Sequence, residues 1–407
     1  MEEFGKSKDK KELLKLLIRK LHEGADPETL KAEFKDVIGH ADASEIARVE
    51  EELIREGVSR DDIQKLCDVH LSIFREALER VRATPPPGNP IHILQEEHRL
   101  ISELVSEHNS VVKRLVGVED PKVADEEIMR LKDIEERLKG EESHYLREEN
   151  VLFPHLEKHG IVEPPAIMWM EHDKIRGLKK NLQNIHANRQ SMKFQDFKAN
   201  LEKISNSILE TVSNHFYKEN NILFPTALRV IGEDEWPSIR SQFDELGYFI
   251  FTPEPAKMAM TLSKEVVSGA ASRNVAFETG ELSIEEIESI FNTLPVEITY
   301  VDKDDTVRYY SQTKDRIFVR TKAVLGRKVQ QCHPQKSLHA VNKILDEFRR
   351  GLRESADFWI RLKDRLIYIR YFPIRGKGGE YLGCLEVTQD ITDIKRLEGE
   401  KRLLDWP

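Results

Sequence analysis

The chain has 407 residues, of which 39% are hydrophobic and 33% are charged. This length predicts two to four domains, because single hydrophobic cores stop growing at about 250–300 residues. The composition excludes a wholly disordered or a collagen-like chain. The formal net charge of -10 gives no electrostatic reason to bind nucleic acid or an anionic membrane surface, so neither is expected as a partner.

The three cysteines, Cys67, Cys332 and Cys384, are far apart and form no CxxC motif. Neither a disulfide framework nor a thiolate zinc site is indicated. The apolar residues near the N-terminus have helical spacing rather than the continuous run of a signal peptide. No segment reaches the roughly 20 apolar residues of a membrane span. We therefore expect a cytoplasmic protein with no membrane partner.

Residues 1–84 are predicted to form a helical domain of about four short helices. Asp26 followed by Pro27 is typical of a helix start, and Ser59 followed by Asp62 resembles a capping box. The run PPPGNP at residues 85–90 removes backbone donors and predicts a linker.

Residues 90–248 are predicted to form a four-helix bundle. Apolar residues and one histidine recur at steps of three and four, which is typical of the buried face of a bundle helix. That face consists of Ile91, Leu94, His98, Ile101 and Val105. The later helices are predicted at about 122–150, 165–187, 194–221 and, shorter, 234–246. Residues 249–283 are predicted to be a connector.

From residue 284 the hydrophobic period changes, and residues 284–393 are predicted to form an α+β domain with an antiparallel sheet. A helix is expected to end near Leu294, and another contains Val341 to Phe348. Alternating segments predict a hairpin at 297–311 and a strand pair at 358–374 and 381–388. Residues 394–407 leave room for a linker helix, but for no kinase, DNA-binding or cyclase domain.

An internal repeat carries the strongest chemical signal. The segment HYLREENVLFP at residues 144–154 returns as HFYKENNILFP at residues 215–225, and a Glu-His pair precedes each copy. Residues four apart on a helix differ by about 40° around its axis, so each histidine and its glutamate share a face. The two halves of the repeat contribute His98, His144 and Glu148, and His172, His215 and Glu219.

Four imidazoles and two carboxylates inside a bundle predict a metal site. This ligand set suits Fe or Mn well and Zn acceptably, and the absence of thiolates argues against softer metals. Because a carboxylate can bridge two ions, the symmetry predicts a dinuclear centre. The Leu-Phe-Pro sequences that end both copies are interpreted as core packing and a helix stop.

With these motifs, residues 90–228 resemble the hemerythrin-like (HHE cation-binding) family. The resemblance implies a four-helix bundle that holds a non-haem di-iron centre, with these six residues as ligands and Glu148 and Glu219 as bridges. Arg176 and Asn220 stand where the oxygen-carrying hemerythrins have further ligands. The chain resembles instead the di-iron proteins of iron-centre repair, nitric oxide response and iron or oxygen sensing.

Other candidate ligands are interpreted as structural. His155 and His159 are expected beyond the helix, and His108 and His186 lie away from the repeat. Glu149 is expected to be a solvated carboxylate, with a hydrogen-bond acceptor behind a metal ligand as the alternative.

Residues 284–393 resemble a PAS domain, with an opening LPVEITYVD at 294–302 and a closing GCLEVTQDIT at 383–392. The resemblance implies a sensor or dimerisation module whose ligand is unknown. Cys332 and His333 are interpreted as part of a loop, with a haem or metal ligand as the alternative. Residues 1–84 resemble an uncharacterised helical family found before hemerythrin-like domains. There Cys67 and His70 are interpreted as a buried thiol beside an ordinary histidine, again with metal binding as the alternative.

The first functional hypothesis is a cytoplasmic di-iron sensor of O2, NO or redox state that signals through the PAS domain, to a second copy of the chain or to a partner protein. The alternatives are a di-iron redox enzyme, for peroxide or nitric oxide reduction or iron-centre repair, and a metal-storage bundle. Whether the protein is an enzyme is left open.

Overall fold

The structure is a computed structural model. It describes residues 12–34 except 14, 18, 21 and 22, and residues 43–58, 85–119, 121–249, 274–313 and 316–400. The chain divides into two compact units, residues 1–264 and 265–407, which are described separately. Within the described residues, no helix is both long and apolar enough to cross a membrane.

In the N-terminal segment the described residues between 12 and 20 are helical, and two helices follow, α1 (Pro27–Glu33) and α2 (Ala43–Arg55). The predicted start of α1 is confirmed, because the Asp26 side chain accepts a hydrogen bond from the Thr29 N–H. The proposed capping box at Ser59, and Cys67 with His70, lie outside the described residues.

The bundle is built of long helices, as predicted, and the five residues of the predicted buried face are all buried. Its helical segments are α3 (Pro90–Val116), α4 (Pro121–Leu138), α5 (Glu142–Arg147), α6 (Phe153–Lys158), α7 (Glu163–Ala187), α8 (Phe194–Lys218), α9 (Phe224–Val230) and α10 (Trp236–Leu246).

The predicted helix stop at the Leu-Phe-Pro sequences is wrong. One turn of π-helix, Glu148–Leu152, joins α5 to α6, and an equivalent turn, Glu219–Leu223, joins α8 to α9. Proline has no N–H and cannot make the α-helical hydrogen bond to the carbonyl four residues earlier. A π turn accommodates this missing bond, because its hydrogen bonds reach the carbonyl five residues earlier. Accordingly, the Phe153 N–H donates to the Glu148 carbonyl. The predicted core packing is correct, since Phe153 and Phe224 are fully buried.

Two hydrophobic clusters fill the first unit. One includes Leu94 and Met168 together with residues of α1 and α2, and the other includes Ile101 and Ile175. His98 lies between Leu94 and Ile101 along α3, and His172 lies between Met168 and Ile175 along α7. These histidines therefore occupy the boundary between the two apolar clusters.

The second unit contains a five-stranded antiparallel sheet in the order β4-β3-β7-β6-β5. The predicted fold class, an all-α part followed by an α+β domain, is confirmed. The elements are β1 (Asn274–Phe277), β2 (Gly280–Ser283), α11 (Ile284–Thr293), β3 (Glu297–Asp302), β4 (Val307–Tyr310), α12 (Leu338–Arg349), β5 (Ala356–Leu362), β6 (Arg365–Arg375) and β7 (Tyr381–Asp390).

Three details differ from the sequence prediction. Residues 358–374 are not one strand, because Lys363 adopts a φ of 55° and turns the chain between β5 and β6. The hairpin β1–β2 lies within the predicted connector. Residues 394–400 contain one 3₁₀ turn, Ile394–Arg396, instead of the start of a longer helix, and residues 401–407 lie outside the described part.

The core of the second unit centres on Phe348 of α12, which is fully buried. We expect Phe348→Ala to lower the free energy of unfolding of this unit by about 3–5 kcal/mol, because it removes buried ring contacts and leaves a cavity. Phe277→Ala, at a ring that is 50% exposed, is the matched control, with an expected change within about 0.5 kcal/mol. Urea denaturation followed by circular dichroism measures both, and equal losses would contradict this view of the core.

Candidate metal centre

The structure brings all six predicted residues together in the middle of the bundle. α3 supplies His98, α5 supplies His144, α7 supplies His172 and α8 supplies His215. Glu148 and Glu219 are the first residues of the two π turns. All six are buried, and the most exposed, His98, is 3% exposed. Irregular helix turns of this kind often occur at functional sites.

The ligand atoms form two overlapping groups, each with two imidazoles and two carboxylates. The first group contains His98 and His144, the second contains His172 and His215, and both contain Glu148 and Glu219. Within each group the atoms lie within 4.8 Å of one another. The two glutamates are therefore placed between two metal positions, as bridging carboxylates would be.

Individual distances show how closely the side chains converge. His98 Nε2 lies 3.1 Å from a Glu219 carboxylate oxygen, and His172 Nε2 lies 3.3 Å from a Glu148 oxygen. The intrahelical pairs follow the predicted i, i+4 spacing, with 3.5 Å from His144 Nε2 to Glu148 and 3.3 Å from His215 Nε2 to Glu219.

Buried carboxylates fix the orientation of three imidazoles. His144 Nδ1 lies 2.8 Å from Glu97, His215 Nδ1 lies 2.9 Å from Glu171, and His172 Nδ1 lies 2.8 Å from Glu149. A carboxylate accepts a hydrogen bond, so each Nδ1 carries the proton and each Nε2 presents its lone pair to the centre. This is the usual support of a metal-binding histidine.

Cations hold these carboxylates in turn. The Arg147 guanidinium donates to Glu97 at 2.6 Å, and Lys218 donates to Glu171 at 2.7 Å. Burial raises the pKa of Glu171, but its hydrogen bonds and charge interactions with His215 and Lys218 outweigh burial and lower that pKa to about 2. Both supporting carboxylates are thus held in the charged, accepting form.

Sequence reasoning missed Glu97 and Glu171 as functional residues. The signal was present, because each stands directly before a histidine of the repeat. Arg147 and Lys218 likewise occupy equivalent positions in the two copies.

The interpretation of Glu149 as a solvated carboxylate is wrong. It is 4% exposed, accepts from His172 and pairs with Arg176, whose Nη1 lies 2.8 Å from it. Burial raises the pKa of Glu149 to about 7, and the Arg176 guanidinium opposes this shift. Arg176 stands where the oxygen-carrying hemerythrins have a further ligand. In the structure it donates to Glu149, the carboxylate that supports His172.

The chemistry of the donor set fits a cation. Buried oxygens of Glu148 and Glu219 have no hydrogen-bond partner, and neither do the Nε2 atoms of His172 and His215. Burial, together with the neighbouring Glu148, raises the pKa of Glu219 well above its usual range. Burial also lowers the pKa of His98 and His172 well below the usual imidazole value. Neutral imidazoles that face two crowded carboxylates are a ligand set for divalent ions.

The other histidines in the described part of the chain belong to neither group. His108 and His186 both lie against Glu135, at 3.1 Å and 2.8 Å. His155 lies within α6, so its expected place beyond the helix is wrong, and His159 caps the end of that helix. Both contact Glu235. In the second unit, burial lowers the pKa of His333.

Comparison with known protein families gives three matches. Residues 14–80 match a family of unknown function (DUF438), residues 89–227 match the hemerythrin HHE cation binding domain, and residues 287–392 match a PAS domain. The three resemblances and their order are confirmed, while the exact domain boundaries stay predictions. The hemerythrin match implies a cation site in the part of the chain that contains the His and Glu groups.

No curated protein matches the chain. Among solved structures, a C-terminal domain from Streptococcus mutans is 34% identical, with a TM-score of 0.31, and the match covers 32% of this chain and all of that one. A PAS domain from Colwellia psychrerythraea is 18% identical, with a TM-score of 0.23, and the match covers 27% of this chain and 98% of that one. A sensory box sensor histidine kinase from Vibrio cholerae is 13% identical, with a TM-score of 0.21, and the match covers 26% of this chain and 90% of that one. Such TM-scores support no conclusion about function.

We expect His144→Ala and His215→Ala each to reduce bound metal severely, because each removes one of the two imidazoles at a metal position. His159→Ala is the control, since that ring is partly exposed and contacts Glu235. Metal analysis of the purified variants by mass spectrometry measures the effect. Equal metal content in all three would contradict the ligand assignment.

We also expect metal binding at neutral pH to release protons, and affinity to fall as the pH is lowered. Burial raises the pKa of both Glu219 and Glu148, which favours the protonated form of the metal-free pair, and a cation must displace such a proton. Calorimetric titration in buffers of different ionisation enthalpy measures the released protons. Binding without proton release would show that the pair is already ionised.

Proposed function

Because the chain combines a hemerythrin HHE cation-binding domain at residues 89–227 with a PAS domain at residues 287–392, we propose that it is a sensor with a non-haem di-iron centre. In this proposal the centre binds O2 or NO, or responds to redox state, and the PAS domain relays the change. The protein works in the cytoplasm and signals to a second copy of itself or to a partner protein.

The observation that supports the proposal best is the pair of overlapping ligand groups that share Glu148 and Glu219. Each metal position has four side chains as candidate ligands. Iron with imidazole and carboxylate ligands commonly takes more than four. When bound, iron would supply a change of oxidation state and open coordination positions for a small ligand.

The surrounding side chains favour a small, uncharged ligand. The His98 ring stacks on Phe216 with ring centroids 3.9 Å apart, and on Phe224 at 5.2 Å. Phe153 stacks against His172 at 5.8 Å. These aromatic rings make the surroundings of the histidines apolar, which suits a small uncharged diatomic molecule better than a polar organic substrate.

One contact favours the second candidate, a di-iron redox enzyme. The Tyr145 ring lies 4.4 Å from the His172 ring, and its hydroxyl donates to Glu141, which also pairs with Lys179. A phenol that is hydrogen-bonded to a carboxylate thus lies beside the ring of one candidate ligand, and a redox enzyme can use such a pair to relay protons. Burial, followed by the charge of Glu141, raises the pKa of Tyr145 well above its usual range, so its hydroxyl keeps its proton.

We expect anaerobically purified protein to contain two iron ions per chain and to change its optical spectrum with O2 or NO. Metal analysis and gas titration test this, with His144→Ala as the matched control that loses the response. Redox-silent zinc would support storage instead. Iron that is indifferent to gases and to redox potential would overturn the sensor proposal.

Turnover separates the two iron-based candidates. A sensor binds its ligand without consuming an added electron donor, whereas an enzyme consumes the donor in proportion to O2, peroxide or NO. Sustained consumption by wild type, lost in His144→Ala, would assign the enzyme.

A further inference from the structure

The two halves of the centre are similar but not equivalent. Arg147 and Lys218 occupy equivalent positions in the repeat and both hold a glutamate behind a histidine. Two further pairs, whose members lie next to His172 and His98, differ in chemistry. Glu149 in the first copy corresponds to Asn220 in the second, and Tyr145 corresponds to Phe216.

These differences act on different imidazoles. Glu149 is buried and accepts from Nδ1 of His172 at 2.8 Å. Nδ1 of His98 has no hydrogen-bond partner among the described residues, and the residue that corresponds to Glu149 is the neutral, half-buried Asn220. His98 also stacks on Phe216 and Phe224, whereas His172 lies beside Tyr145 and Phe153.

A carboxylate that accepts the Nδ1 proton makes the other ring nitrogen a stronger electron donor, and His98 lacks such a carboxylate. The Arg176 guanidinium balances the charge of Glu149 but leaves its hydrogen bond to His172 in place. The remaining histidines, His144 and His215, each have a carboxylate of their own. The difference between Glu149 and Asn220 therefore makes the two metal positions chemically different.

We propose that the position formed by His172 and His215 binds its metal ion more tightly than the position formed by His98 and His144, and that Glu149 sets the difference as a positioning residue. This inference rests on the proposed metal binding. It adds that the position formed by His172 and His215 is filled before the position formed by His98 and His144.

The test is a stepwise Co²⁺ titration of the metal-free full chain, followed by absorption spectroscopy and calorimetry. Wild type is expected to bind in two distinguishable steps. Glu149→Gln keeps the shape of the side chain and removes its charge, and is expected to weaken the first step about 10- to 100-fold. Asn220→Glu leaves the Glu149–Arg176 pair intact and is expected to strengthen the second step, which brings the two steps together.

Glu135→Gln is the control, because Glu135 contacts two histidines of the same bundle that belong to neither metal group. It is expected to leave both steps unchanged. Circular dichroism of the metal-free proteins checks that the variants fold. A second measurement, Mössbauer spectroscopy of protein loaded with ⁵⁷Fe, is expected to show two iron environments in wild type and more similar ones in Asn220→Glu.

Several outcomes would overturn the inference while leaving the proposed function intact. They are two equivalent steps in wild type, equal weakening of both steps by Glu149→Gln, and no strengthening by Asn220→Glu. Failure of the wild-type protein to bind any metal would instead overturn the proposed function.

Discussion

Four imidazoles and two carboxylates point toward one another in an interior that excludes water, and the rest of the bundle is arranged around this constraint. A buried polar group without a partner destabilises the fold, and a buried charge does so more strongly. Glu148 and Glu219 share one space, so burial and mutual repulsion favour their protonated forms until a cation separates them. The centre is thus electrostatically unfavourable without a cation, and binding of metal ions would relieve the repulsion between the two carboxylates.

The supporting side chains explain how such a cluster keeps its geometry. Glu97 and Glu171 each hold a histidine on one side and a cation on the other, so that every buried charge in this layer is paired. The histidines are thereby fixed in one tautomer before any ion arrives. Preorganisation of this kind reduces the rearrangement that binding would otherwise require.

The sequence was sufficient to predict the bundle and the six residues that converge, because a repeated pattern at helical spacing has few alternative explanations. Alternating apolar and polar residues and two terminal motifs were sufficient to predict the PAS-like domain. It was insufficient where local rules conflict with packing. Pro154 indicates a helix end by local rules, but a π turn and a buried Phe153 carry the helix past it. Lys363 turns the chain with a positive φ, a conformation for which lysine gives no sequence signal. Glu149 looked like one of many surface carboxylates, and only the fold shows that Arg176 and His172 enclose it.

The N-terminal segment has a role that its family name does not suggest. The Glu51 carboxylate of α2 accepts the backbone N–H groups of Val162 and Glu163, 3.0 Å and 3.3 Å away. It therefore caps α7, the helix that carries His172, from outside the bundle. Leu53, on the same helix, belongs to the same apolar cluster as Phe153, which stacks on His172. Opening of the N-terminal segment would loosen both the first turn of α7 and the packing behind its histidine. The rigidity of the metal pocket therefore depends on a segment whose described residues contribute no ligand to it.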